Sequence, residues 1–274
     1  MQVDGSTVVV TGGQRGLGKA LVKAFLDSGA AKVYATARTP QDSRDDRVIP
    51  VPLDVTDPAS VASLSAGAED ATVVVNNAGA QHRDKLLDVD IESVRTLFET
   101  NVYGALRVAQ CFAPVLARNG GGALVNIMSI MSWSVGTAAG AATYGATKAA
   151  LWSLTNSLRV ELAEQRTQVV GVHLGYLQTD MTTTLDVRKL DPATAAETVV
   201  SANRRKRHRG AGRRRLPTRQ STAQWPPGGT CLPVHKRTGN VRRRDVRALS
   251  GSRGAFNAIS SPNRCCMIPA GVQR

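Results

Sequence analysis

A tyrosine and a lysine stand four residues apart in "TYGATKAALWSL", as Tyr144 and Lys148. On a helix that spacing puts both on one face. An ammonium beside a phenol favours the phenolate, so Lys148 is expected to lower the pKa of Tyr144 and suit it to proton transfer. Upstream, "NIMSIMSW" offers two hydroxyls. Ser129 falls where a strand is expected to end, the place at which open α/β sheets put ligand chemistry, and Ser132 lies one turn further on. By position alone either serine could equally serve only to form a turn.

A second chemistry is written near the start, in "TGGQRGLG". Gly12, Gly16 and Gly18 permit a tight turn, a close approach of main-chain N–H groups to a diphosphate, and close packing of the helix that opens at Leu17. Such a turn between a buried strand and a helix predicts dinucleotide binding. The end of the next strand selects the dinucleotide: an acid there would accept the adenosine ribose hydroxyls, whereas this chain has Arg38, with Arg15 in the glycine turn itself. Two guanidiniums favour a 2′-phosphate, hence NADP(H) over NAD(H).

Stepping from these residues to what must hold them, short β-branched runs alternate with amphipathic stretches as far as residue 174. That is the pattern of a parallel sheet with helices on both faces. Strands are expected at 6–12, 32–38, 47–55, 71–79, 122–129 and 167–174. Helices are expected at 17–30, 90–121, 143–165 and from Asp191 to Ala202. The prolines of "RVIPVPLDV" place the third strand at a sheet edge. Leu151, Leu154, Leu158 and Leu162 are expected to form the buried stripe of the helix that carries Tyr144. The fold class is α/β, a doubly wound parallel sheet of Rossmann type in one domain spanning 1–202.

The motifs together resemble the short-chain dehydrogenase/reductase family over about residues 3–200. "TGGQRGLG", "LDV", "NNAG", "ETNVYG", "NIMS", "YGATK" and "HLGYLQTDM" occur in the family's order. The resemblance implies an NADP-dependent oxidoreductase acting on a carbonyl or secondary alcohol. In it, Tyr144 is the general acid or base, and Lys148 assists it and binds the nicotinamide ribose. Ser129 binds the substrate oxygen, and Asn101 anchors a water in a proton relay. By the same resemblance Asp54 and Val55 bind the adenine, Asn76, Ala78 and Gly79 line the cofactor cleft, and Thr179 holds the carboxamide. The chain departs from the family pattern in having Leu174 before Gly175, and in the fifteen-residue interval between Ser129 and Tyr144.

The charge is unevenly spread. The net +14 comes from residues 201–274, which carry 18 Lys and Arg against the single acid Asp245. Residues 1–200 are slightly acidic. After Ala202 the periodicity stops and no seventh strand can be read. Three readings stand for 203–274: a nucleic-acid-binding tail, a solvated disordered tail, or a segment translated out of frame. Trp225 and Phe256 give little for bases to stack on, which disfavours the first. A catalytically idle nucleotide-binding protein is the alternative to an enzyme. Cys111, Cys231, Cys265 and Cys266 fit no metal spacing, and no metal is expected. No run reaches the roughly 18 apolar residues of a membrane span, so a cytoplasmic protein with a small-molecule substrate is expected. Family-like homo-oligomers are expected if the C-terminus permits them.

Overall fold

The computed structural model of the chain describes residues 1–83, 85–134 and 141–201. The expectations for 203–274, the seventh strand among them, and for most of the loop between Trp133 and Thr143 lie outside these residues.

Six strands, β1 (Thr7–Val10), β2 (Lys32–Ala37), β3 (Val48–Pro52), β4 (Val73–Asn76), β5 (Ala123–Ser129) and β6 (Gln168–Leu174), form one parallel sheet. Their order is β3-β2-β1-β4-β5-β6. The prolines of β3 do sit at an edge. β1 shows why its run is continuously apolar: Val8 and Val10 enter one core and Val9 the other, so both faces of the sheet are buried.

Helices cover both faces. α1 (Gly16–Asp27) and α6 (Pro192–Ser201) pack on one side, where Leu21, Phe25, Ala196 and Val199 share a core. α2 (Pro58–Gly67) and α4 (Gly104–Arg118) pack on the other, around Val61, Phe112 and Leu116. The chain is thus the doubly wound Rossmann fold expected. β1 leads to β2 on one side, while the later strands extend the sheet on the other. A crevice therefore opens at the carboxyl ends of β1 and β4.

Three elements differ from the sequence reading. α2 was not expected, because its Ala and Ser content leaves only Val61 and Leu64 buried and no apolar stripe. Its start is nonetheless written as Asp57-Pro58: the Asp57 carboxylate accepts the Ala59 N–H at 2.9 Å. The expected helix 90–121 is α3 (Ile91–Phe98), a π-helical turn (Glu99–Tyr103) and α4 in succession. In α5 (Ala142–Glu161) the fully buried residues are Thr143, Thr147, Lys148, Leu151 and Thr155 among others, whereas Leu154 and Leu158 are half-buried. Thr147 and Thr155 can face inward because each hydroxyl donates to a main-chain carbonyl, those of Tyr144 at 2.7 Å and Leu151 at 2.6 Å.

β6 is the edge strand opposite β3 among the described residues, with its side chains from Val169 to Leu174 buried. Phe25, fully buried between α1 and α6, is the largest side chain of its layer. Phe25→Ala is expected to cost about 3–5 kcal/mol through lost burial and the cavity it leaves, measured as the drop in urea-unfolding free energy.

Candidate active site

The glycine turn is closed by contacts too near for side chains. A Cβ on Gly18 would lie 1.9 Å from the Gly12 carbonyl oxygen, and Gly12 and Gly16 have φ of +63° and +50°. Only glycine satisfies both demands. Gly12, Gly16 and Gly18 therefore draw the N-terminus of α1 onto the end of β1, with Leu17 half-buried against the core beneath. This is a cradle that side chains would fill, and its donor set fits a dinucleotide diphosphate.

The turn is latched to the end of β4. The Thr11 hydroxyl donates to Val75 O at 3.3 Å and accepts the N–H groups of Asn77 and Ala78, both at 2.9 Å. The Asn77 amide donates to Thr11 O at 2.9 Å and Gly12 O at 3.2 Å. Thr11 has no task in the sequence reading although it stands in the quoted motif, and Asn77, expected with Asn76 to Gly79 along the cleft, serves here as a latch. Thr179, after β6, places its methyl group 3.4 Å from where a Cβ of Gly16 would be, so the segment after β6 comes over the same turn.

Arg15 and Arg38 are exposed, and among the described residues neither is in a salt bridge. Leu53 N–H donates to Ala37 O at 2.9 Å, which brings Asp54 beside Arg38 at the end of the sheet. The Asp54 carboxylate is held below its ordinary pKa by the Thr56 hydroxyl and N–H, with a smaller contribution from Arg38. Val55 is buried, and a Cβ on Gly104 would come 2.8 Å from its methyl carbon.

The second cluster stands at the end of β5. Ser129 accepts the Met131 N–H on its hydroxyl oxygen at 3.2 Å, which leaves its hydrogen to be donated. Ser132 is turned the other way: its buried hydroxyl donates to Ser129 O at 2.7 Å. The two serines, equal by position, thus separate into a free donor and a turn closure. The Ser129 hydroxyl faces the Tyr144 phenol and favours its ionised form.

Lys148 is buried, with Nζ donating to Ile127 O at 3.0 Å and lying 5.6 Å from the Tyr144 ring centroid. Here the electrostatics differ from expectation. Burial pushes the Tyr144 phenol up to about 12, opposed by the Ser129 hydroxyl, and Lys148 does not offset it. Burial likewise pulls Lys148 down to about 8. Desolvation drives both groups towards their neutral forms and outweighs the attraction expected from their spacing.

Asn101 lies in the π-helical turn and is fully buried. Its amide oxygen accepts Ala80 N–H at 2.8 Å, and its Nδ2 donates to Ala80 O at 2.9 Å and to Thr147 Oγ1 at 3.0 Å. It ties the chain after β4 to α5. A Cβ on Gly79 would be 3.2 Å from Asn101 Oδ1 and 3.6 Å from Lys148 Nζ, so Gly79, Asn101 and Lys148 meet at one point.

The Asn76 side chain is held among the strands and helices. It is buried away from the cleft, donating to Ala105 O at 3.0 Å and Asn126 Oδ1 at 2.9 Å, while Asn126 donates to Thr155 Oγ1 at 2.9 Å. A buried amide needs partners, and these lie between the strands and helices.

His173 on β6 was also missed. It is buried, its Nδ1 meets Ser129 O at 3.1 Å, and its ring lies 4.1 Å from that of Trp133 and 5.7 Å from that of Trp152. A carbonyl can only accept, so Nδ1 carries the hydrogen.

Two outcomes follow from this network. Thr11→Val leaves the Ala78 N–H without its acceptor, and the Asn77 N–H with Val75 O alone, and is expected to cost about 1–3 kcal/mol, read by urea denaturation. Burial holds His173 down at about 4, with Arg159 adding to the shift and the bond to Ser129 O opposing it. The unfolded chain therefore takes up this proton first as pH falls. The stability His173 contributes is complete above pH 6.5 and is lost on acidification towards pH 4, on the order of 3 kcal/mol. Unfolding free energies across that range should show the loss in the native chain and a shallower one in His173→Phe.

Comparison with known proteins agrees with this architecture. A model of the short chain dehydrogenase family matches residues 6–189. An uncharacterized oxidoreductase of Staphylococcus haemolyticus is 30% identical over 215 residues, covering 73% of this chain and 92% of that one. A short-chain dehydrogenase from Burkholderia cenocepacia, solved in complex with NADP, is 35% identical with a TM-score of 0.70, over 74% of this chain and 86% of that one. A gluconate 5-dehydrogenase from the same organism, in complex with NADP and tartrate, is 25% identical with a TM-score of 0.67, over 72% and 88%. With the doubly wound sheet, the glycine turn at its switch point and two thirds of the chain matched, this protein belongs to the short-chain dehydrogenase family.

Proposed function

We propose that the chain reduces a carbonyl compound, or oxidises the corresponding secondary alcohol, with NADP(H), through Ser129, Tyr144, Lys148 and Asn101. The observation that carries this reading is their convergence: Ser129, whose hydroxyl keeps a hydrogen to donate, Tyr144 with Lys148 Nζ 5.6 Å from its ring, and Lys148 and Asn101 together at Gly79, beside the strand ends that carry the glycine turn. The relatives are oxidoreductases, and neighbouring structures with bound NADP support a nicotinamide dinucleotide as cofactor.

The nicotinamide, when bound, supplies or accepts the hydride. The residues of the chain manage the proton and the oxygen. With its pKa raised to about 12 the Tyr144 phenol is protonated at neutral pH, which equips it to donate to a carbonyl oxygen as that oxygen gains the electrons of the breaking C=O π bond. Ser129, fixed by Met131 N–H, offers a second hydrogen to the same oxygen. Lys148, anchored on Ile127 O beside the ring, is placed to return a proton to Tyr144 and to reach the nicotinamide ribose.

The glycine turn with Gly12, Arg15, Gly16, Leu17 and Gly18 takes the diphosphate end. Ala78 and Gly79 line the cleft, Thr179 closes over the turn, and Asp54 and Val55 lie at the adenine end. Arg15 and Arg38, exposed and outside any described salt bridge, receive the 2′-phosphate, which is the ground for NADP(H) over NAD(H).

The test is consumption of NADPH, followed by its absorbance, with a panel of ketones and aldehydes. Tyr144→Phe, which removes the phenolic hydroxyl and its transferable proton while keeping the ring, is expected to lower kcat about 10²- to 10⁴-fold with unchanged NADPH binding. Turnover by Tyr144→Phe equal to that of the native chain would overturn the assignment.

A further inference from the structure

The residue between the glycines and Arg15 does something the proposed site has not used. The Gln14 side chain donates from Nε2 to Gln41 O at 2.7 Å and accepts Gln41 N–H on Oε1 at 2.8 Å. One side-chain amide thus exchanges two hydrogen bonds with one main-chain residue 27 positions away, as a neighbouring strand would. It does so where the sheet has already ended, since β2 stops at Ala37. Nearer the sheet, Gly13 N–H donates to Thr36 O at 2.8 Å, and Gly12 N–H meets the Thr36 hydroxyl at 3.3 Å. The loop after β2 is therefore pinned to the glycine turn at both of its ends, at Thr36 and at Gln41. Between the two pins lie Ala37, Arg38, Thr39 and Pro40, the last with a fixed φ.

We infer that Gln14 is a positioning residue for cofactor selection: by clasping the main chain of Gln41 it fixes the base of Arg38 relative to Arg15, so that both guanidiniums meet one phosphate on the adenosine ribose. Arg15 is the next residue after Gln14, and Arg38 lies three before Gln41. Neither arginine is held by a described salt bridge, so what orients them is the backbone from which they grow. Two long side chains lose much rotamer freedom on closing around an anion, and a rigid common base reduces how much ordering remains for binding to supply. The clasp is made by the Gln14 side chain and not by the glycines that bring the helix onto the turn, so its effect is expected chiefly at the 2′-phosphate. The inference rests on the NADP(H) reading above and names a residue that refines it.

The test is equilibrium binding of NADPH and of NADH to the full chain by calorimetry, with no substrate, alongside thermal melts. The native chain is expected to bind NADPH more tightly. Gln14→Ala should raise the Kd for NADPH about tenfold, the size of two exposed hydrogen bonds, while leaving that for NADH within about twofold. Gln41→Ala, which keeps the main-chain partner, should bind both as the native chain does. A Gln14→Ala protein that keeps the native preference for NADPH, or that weakens both dinucleotides equally, overturns the inference alone. A native chain that binds NADPH no more tightly than NADH, or binds neither, overturns the NADP(H) reading and this inference with it.

Discussion

The first turn of α1 can be drawn onto the end of β1 only because nothing stands between the Gly12 carbonyl and the Gly18 Cα. Even a methyl group at Gly18 would have to occupy the carbonyl oxygen. That single approach sets where the N–H groups at the start of α1 point and how deep the crevice is. It also sets how near β4 the turn may lie, and Thr11 and Asn77 then fasten it there. The fastening uses side chains on main-chain groups that have no strand partner left. At a switch point the two strands part, and their terminal donors and acceptors must be satisfied some other way.

At the end of β5 the same difficulty is met with a different set of residues. The Ser129 carbonyl receives both the Ser132 hydroxyl and the His173 Nδ1–H, and the Ser129 hydroxyl oxygen receives Met131 N–H. Beneath, Asn76, Asn126 and Thr155 run as a chain of buried amides and hydroxyls between β4, β5 and α5. Each of these groups would cost on the order of 1–3 kcal/mol if buried without a partner. Together they fix the spacing of α5 from the sheet more specifically than apolar packing alone would, because a shift of α5 breaks hydrogen bonds as well as contacts.

What could be read in advance was whatever rests on periodicity or on a motif whose chemistry is local. The strands, with β3 at the edge, follow from β-branched runs and two prolines. The glycine turn follows from steric need and the shared helix face of Tyr144 and Lys148 from spacing, whereas position alone left Ser129 and Ser132 equal and only the family resemblance singled out Ser129. The misses have a common cause. α2 has little apolar periodicity, and the buried face of α5 is largely threonine, so hydropathy pointed to Leu154 and Leu158 instead. Asn76 and Asn77 are adjacent and chemically identical, yet one turns into the core and the other to the glycine turn. Only the alternation of a strand that ends at Asn76 decides which. His173 is read as core in a run of valines, and its bond to Ser129 O is a long-range pairing that no local pattern contains.

The electrostatics of Tyr144 and Lys148 are the sharpest case of a local rule overridden by its surroundings. Side by side on an exposed helix, an ammonium and a phenol would move each other towards the ion pair. With Lys148 buried and Tyr144 half-buried beside it, each moves towards its neutral form, and the phenol keeps its proton. The anchor of Lys148 is compatible with either outcome, since a carbonyl accepts an N–H from an amine as well as from an ammonium. Its position is therefore independent of its charge. With its own pKa drawn to about 8, Lys148 can give up or recover a proton near neutral pH without leaving Ile127. A Cβ on Gly79 would touch its Nζ at 3.6 Å, and the glycine keeps a side chain off that side of the amine. Under the role proposed for Tyr144, a proton donor whose geometry survives its own deprotonation would suit a reversible transfer, and the Ile127 carbonyl supplies that geometry.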